Sequence, residues 1–178
     1  MNAWSARPAR RLAVTAVAGL SAVALLAGCG MQTRQQAAAV VNGSVIDQSE
    51  VRRTAEQLAA ANLKFPEAIV VTALIAAPLL KEQVDKSGSW KPDETYATVL
   101  AAIPDATPTT KEFVSAVALL DSGRMTPADV AGYRQSLQKA KITLNPKYGA
   151  LRPSTQGPVY FTLGPDQPNW VKPVAAAK

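Results

Sequence analysis

Thirteen residues, Ala39 to Val51 (AVVNGSVIDQSEV), constrain the fold more than any other stretch of the chain. Ala39, Val40 and Val41 are β-prone, and Asn42-Gly43 is the dipeptide that tolerates positive φ at both central positions of a type I′ turn. Val45-Ile46 resumes the β-prone pattern, which predicts a small hairpin. Asp47 is then placed to cap a helix with Glu50 three residues on as its capping-box partner, followed by Val51, Ala55, Leu58 and Ala59 at helical spacing. The hairpin therefore feeds directly into a helix.

Almost everything downstream reads as helix. A first helix spans about 48–62, and the break at Leu63-Lys64-Phe65-Pro66 precedes a second beginning near Glu67. Residues 68–80, AIVVTALIAAPLL, are the most apolar run after the leader and too short to span a bilayer. They predict a central helix buried on most sides, continuing to about Asp85 and kinked or opened at Pro78, with a buried strand as the competing reading. If one face of that helix is uncovered, it forms the floor of an apolar cleft, and Val71, Leu74, Leu79 and Phe113 are the candidate polypeptide-binding residues. A plain core helix is the alternative.

Pro92-Asp93-Glu94 opens a third helix with Tyr96, Val99, Leu100 and Ile103 as its apolar face, and Thr109 to Glu112 reads as a capping box for a fourth, closed by Gly123. Thr126-Pro127-Ala128-Asp129 starts a fifth, ending near Ala140. Next comes Lys141-Ile142-Thr143-Leu144, a β-prone segment stopped by Asn145-Pro146. A lone strand needs partners, and the other β-prone segments lie about a hundred residues earlier, so the two are expected to meet. The fold class expected is mainly α, about five helices with a small β-sheet formed by an N-terminal hairpin and a C-terminal strand. The domain spans 39–146, and 147–178 is a proline-rich extended tail in which Tyr160, Phe161 and Trp170 are candidates either to clip it to the domain or to dock on a partner.

Ahead of the hairpin the chain reads as an address. Arg7, Arg10 and Arg11 precede the uncharged apolar run Leu12 to Ala27, which ends in Leu26-Ala27-Gly28-Cys29. This resembles a bacterial lipoprotein signal with its lipobox. The resemblance implies diacylglyceryl attachment to the Cys29 sulfur, cleavage after Gly28, and residues 29–38 as a polar tether. Cys29 is the chain's one cysteine, so no intramolecular disulfide can form. Multiple acyl chains on one residue give durable attachment where one chain is marginal. The expected partner is thus the cell membrane, through a lipid anchor on its extracytoplasmic face.

Loss of residues 1–28 leaves 150 of 178, enough for one domain, and the departure of three arginines lowers the formal net charge from +6 to +3. That charge is too mild and too scattered to argue for nucleic acid. The chain has no histidine, and its cysteine is assigned to the lipid, so His-dependent triads, Cys-His pairs and the usual zinc cages lack their residues. The acidic residues Asp93, Glu94, Glu112 and Asp129 fall at helix starts, where the helix dipole accounts for them. No enzyme, metal or cofactor is expected.

The front VVNGSVIDQSEVRRTAEQL and the closing KITLNPKYG together resemble the N-terminal domain of SurA/PrsA-type extracytoplasmic chaperones. Ala39, Val41, Asn42, Gly43 and Ile46 fit the family's front motif, and Ile142, Asn145, Pro146, Tyr148 and Gly149 resemble its ending. The resemblance implies a helical domain closed by pairing of its terminal strands and an activity of holding unfolded or newly exported polypeptides. The parvulin domain of the isomerase members has no room here, which points to a non-catalytic chaperone-like protein. The alternative is a structural or accessory envelope lipoprotein docking on one protein partner through its tail.

Overall fold

The computed structural model describes residues 36–155 and 157–164; Cys29 and Trp170 lie outside the described residues. Strand β1 (Ala37–Val41) turns through Asn42-Gly43 into β2 (Ser44–Asp47), with both turn residues at positive φ, 50° and 92°, as the type I′ geometry requires. The antiparallel register pairs Ala39 with Ile46 and Val41 with Ser44. On its other edge β1 pairs antiparallel with β3 (Ile142–Leu144), so the order is β2-β1-β3.

Two asparagines lock this closure. Asn42 donates its backbone N–H to the Lys141 carbonyl (2.9 Å) and accepts from the Lys141 N–H through Oδ1 (2.8 Å). Asn145 donates its backbone N–H to the Ala38 carbonyl (2.9 Å) and its side-chain Nδ2–H to the Ala37 carbonyl (3.0 Å). The turn asparagine and the asparagine that stops β3 thus each satisfy backbone groups on the other segment.

Five helices lie between these strands: α1 (Gln48–Ala60), α2 (Glu67–Ser87), α3 (Glu94–Ala101), α4 (Pro108–Ser122) and α5 (Pro127–Lys139). Their starts and stops follow local chemistry, with two corrections to the sequence reading. Asp47 sits at the N-cap of α1, but it is also the last residue of β2, paired with Ala37, and its side chain makes no capping bond, so no Asp47–Glu50 box forms. Helix α4 starts two residues earlier than a Thr109–Glu112 box implies. Pro108 takes the first helical position with its preset φ, and Thr107 becomes the cap, its hydroxyl accepting from the Thr110 N–H at 3.2 Å. The Thr126–Asp129 box of α5 forms in full, and Gly88 and Gly123 end α2 and α4 in the left-handed conformation.

Helix α2 is the hub. Val70, Val71, Leu74, Ile75, Leu79, Leu80 and Val84 are buried on it, and it packs against α4, α5, α1 and β1. Pro78 lies within the helix on an exposed position in an otherwise buried run. Gly132 of α5 lies against the Gln83 side chain of α2. A Cβ there would stand 2.4 Å from Gln83 Oε1, displacing a side chain that donates to Ser136 Oγ.

The segment after Asn145 corrects the expected extended tail. A 3-10 turn over Pro146–Tyr148 leads into β4 (Ala150–Pro153), which pairs antiparallel with β5 (Phe161–Gly164) in a second sheet. Tyr148 and Phe161 are buried, and the wholly buried Tyr133 of α5 donates its hydroxyl to the Val159 carbonyl (2.8 Å). A buried phenol needs an acceptor, and this segment supplies it. Burial and the neighbouring Tyr160 push the Tyr133 hydroxyl well above the ordinary tyrosine range.

Asp129 links α5 to the end of α2. Its burial alone would raise the carboxyl pKa, but hydrogen bonds from Ser87, Thr126 and Ser89 outweigh that and hold it down to about 2. A carboxyl depressed in the folded state stabilises the fold above its unfolded value, and this contribution disappears as pH falls through the folded value. Asp129→Asn is therefore expected to be less stable than the parent at pH 7 by about 1–2 kcal/mol. Urea titrations repeated down to pH 2 should show that gap closing, and a gap independent of pH would contradict this role for the carboxylate.

Candidate functional site

Helix α3 is the element with clefts on its flanks. Asp93 caps this eight-residue helix by accepting from the Tyr96 N–H at 3.1 Å. None of its residues is buried; Tyr96, Val99 and Leu100 are half-buried against the core. Its main packing partner is α4. The buried residues belong to its two flanks, Trp90 before it and Ile103 after it.

A cleft opens on each side of α3, and α4 floors both. The first, about 330 Å³, has Leu63 and Phe65 at one wall, Thr95 and Val99 of α3 at the other, and Phe113 and Val117 beneath. It is mainly apolar, with Asp93, Thr95, Asp121 and Ser122 as the polar members of its lining. Phe65 meets Phe113 edge-on, ring centroids 5.3 Å apart and planes at 66°. The second cleft, about 530 Å³, lies between α2 and α4 with Trp90 and Tyr96 in its wall and Lys81, Lys91, Lys111, Asp85 and Glu112 around it. Lys81 and Asp85 form an ion pair along α2, and burial raises the Glu112 carboxyl above its usual range.

The Trp90 indole N–H is buried in that wall with no hydrogen-bond partner among the described residues. An orphaned buried donor costs about 1–3 kcal/mol. Asp93 is tied to Arg124 by an exposed ion pair at 3.6 Å, a contact of little energetic weight.

On the α1 side of the first cleft, a buried network joins α4 to α1. Thr110 Oγ1 donates to Gln57 Oε1 (2.6 Å), with the Thr54 and Thr107 hydroxyls at 3.1 and 2.9 Å from the same oxygen. Gln57 completes the set by accepting from the Thr107 N–H and donating to the Asp105 carbonyl (2.7 Å). Asp105 itself stands at φ 51° in the turn between α3 and α4. The floor is thus held by satisfied polar groups as well as apolar burial.

The sequence-selected residues divide sharply. Val71, Leu74 and Leu79 are core residues of α2, 0–3% exposed, and are corrected here as binding residues: the helix is covered on its apolar sides by α1, α4, α5 and β1. Phe113, equally buried, borders the first cleft from below. Phe161 is buried in β5. Tyr160, at φ 57°, packs against Tyr133 with the Arg134 guanidinium 5.1 Å above its ring, so both clip the second sheet to α5. Cys29 and Trp170 fall outside the described residues. The cleft walls Leu63, Phe65, Val99 and Val117 escaped the sequence reading. Their one signal was two large apolar residues, Leu63 and Phe65, in a break between helices where polar residues are the norm.

The fold and clefts define a mainly α domain closed by its terminal strands, with an apolar trough beside a short helix and no group of carboxylates able to hold a metal among the described residues. Comparison with protein-family models, with curated proteins and with solved structures finds no match.

Phe113 and Val117 differ in what they hold up. Phe113→Ala empties a buried site between α1 and α4 and is expected to cost about 3–4 kcal/mol. Val117→Ser alters a half-buried residue of the cleft floor and should cost under about 1.5 kcal/mol. Denaturant titration of the two variants checks the contrast, and equal costs would mean that the cleft is not open as described.

Proposed function

We propose that this chain is a lipid-anchored, non-catalytic polypeptide-binding protein on the extracytoplasmic face of the cell membrane, acting on unfolded or newly exported chains. The observation that carries this reading is the 330 Å³ apolar cleft between α1, α3 and α4. A cavity of that volume is at the lower end for ligand pockets and takes one or two large apolar side chains rather than a folded partner. With Asp93 and Asp121 at its lining, it favours an apolar segment that carries lysine or arginine nearby.

The SurA/PrsA-type resemblance supports the same reading, because strand pairing between the two ends of the domain is what it implies, and β1 and β3 are so paired. Tethering follows from Cys29. Seven residues, Gly30 to Gln36, separate it from β1, a leash of roughly 25 Å at full extension. The domain would then work within a short distance of the bilayer surface, where exported segments emerge. Among the described residues no helix is long and apolar enough to cross a membrane, so the anchor carries the attachment in this reading. The competing reading, docking on an envelope partner through the tail, loses two of its three residues to the fold, since Phe161 is buried and Tyr160 packs on α5.

Two measurements test the reading separately. The mature chain at equimolar ratio should suppress aggregation of a chemically denatured client, and Val117→Asp should abolish most of that suppression while shifting the unfolding midpoint by only a few degrees. Suppression unchanged by a charge in the cleft would remove this site from the proposal. Cys29→Ser should move the protein from the membrane to the soluble extracytoplasmic fraction and block palmitate labelling; retention on the membrane would refute the anchor.

A further inference from the structure

Helix α3 occupies a seat that its own packing does not fully hold. It is slung between two buried residues, Trp90 and Ile103, yet none of its eight residues is itself buried. A helix this short is marginal in water without tertiary support. Its support is α4, together with the exposed Asp93–Arg124 pair. One flank also carries a standing cost, the unpartnered Trp90 indole N–H, which water would satisfy if the segment moved away. On the other flank the Gln57 side chain holds the Asp105 carbonyl, giving the segment a fixed pivot.

The two clefts are the space left on either side of α3. Thr95 and Val99 wall the first, Tyr96 walls the second, and α4 runs beneath both. Displacing α3 would join them into one trough along α4, floored by Phe113, Val117, Ala116 and Leu119. Helix α4 is tied to α1 at the edge of the trough by the Thr54–Gln57–Thr110 network, so the movable partner is α3.

We infer that α3 is an internal occupant of the polypeptide-binding trough, and that the partner it makes way for is an amphipathic helical segment of the same pattern, with apolar residues at i, i+3, i+4 and i+7. The pattern is read from the present occupant, in which Tyr96, Val99, Leu100 and Ile103 face the core at that spacing. This rests on the polypeptide-binding reading and adds to it the conformation of the ligand and the reason the resting cleft is small. Tethering gives α3 an effective concentration on the order of millimolar, so an external segment must outcompete it, and weakening α3 should raise apparent affinity.

The test uses the chain's own sequence as probe: a fluorescein-labelled peptide of residues 92–104, PDETYATVLAAIP, with binding followed by anisotropy. The mature chain carrying Cys29→Ser is compared with the same chain bearing Val99→Asp and Leu100→Asp, which release α3. Binding at least about tenfold tighter to the released variant is expected. Equal affinity, or no binding to a variant whose α2 amides remain protected, overturns the inference. Hydrogen exchange on the parent chain supplies a reading that no folding defect can obscure. The α3 amides should exchange about 100-fold faster than those of α2, and faster still with saturating peptide. Protection of α3 equal to that of α2 would rule out the displaceable helix. Because the probe is α3 itself and not a denatured client, failure of client binding and failure of the displaceable seat give different results.

Discussion

The structure depends on one strand having both of its edges occupied. β1 pairs with β2 across a two-residue turn and with β3 across about a hundred residues, and the second pairing closes a loop that contains α1 to α5. Closing a loop of that length costs entropy that three residues of ladder do not repay by themselves. The remainder comes from packing: Ala38, Ala39 and Val41 of β1 are buried, and β1 lies against α2. Asn42 and Asn145 add donors and acceptors that a mispaired register would leave unsatisfied, so they specify the register as well as stabilise it. The sheet and α2 therefore stand or fall together, the strand supplying connectivity and the helix supplying burial.

Much of this was legible because the signals are local. Asn42-Gly43 demands positive φ, Thr126 with Asp129 makes a reciprocal cap, and Gly123 ends α4, each within a few residues of sequence. The long-range pairing was legible by elimination, since Ile142 to Leu144 is β-prone and a strand cannot stand alone. What escaped was decided by tertiary context. Asp47 had two tasks, strand end and cap, and the strand pairing prevailed. The segment after Asn145 looked extended because its prolines break helical periodicity, but extended backbone is also what a ladder needs. Tyr133, whose buried hydroxyl has to find an acceptor, gave that backbone a place to bind.

The misplacement of the binding residues has a similar cause. Hydrophobicity ranks α2 first, and in a domain of this size the most apolar helix is the one the others must cover, so Val71, Leu74 and Leu79 disappear into the core. An accessible apolar surface arises instead where a segment is too short to cover what lies beneath it. Helix α3 has eight residues over the fifteen of α4. Periodicity assigns both helices correctly and says nothing about that mismatch in length, which is why the clefts were invisible in sequence.

The same mismatch separates the two halves of the molecule energetically. Between α4 and α1, the hydroxyls of Thr54, Thr107 and Thr110 and the amide of Gln57 satisfy one another in a buried network, an arrangement that penalises any shift of α4 against α1 because each partial break leaves a buried polar group unpaired. Around α3 stand the Asp93–Arg124 ion pair before the helix and the Gln57–Asp105 bond after it, and the nearby buried indole N–H is already unpaired. Motion of α4 against α1 is therefore expensive, and motion of α3 against α4 is less so. A binding surface needs that asymmetry: a floor stiff enough to discriminate between occupants, and a cover loosely enough held that an incoming segment need displace only the half-buried Tyr96, Val99 and Leu100 and the buried Ile103.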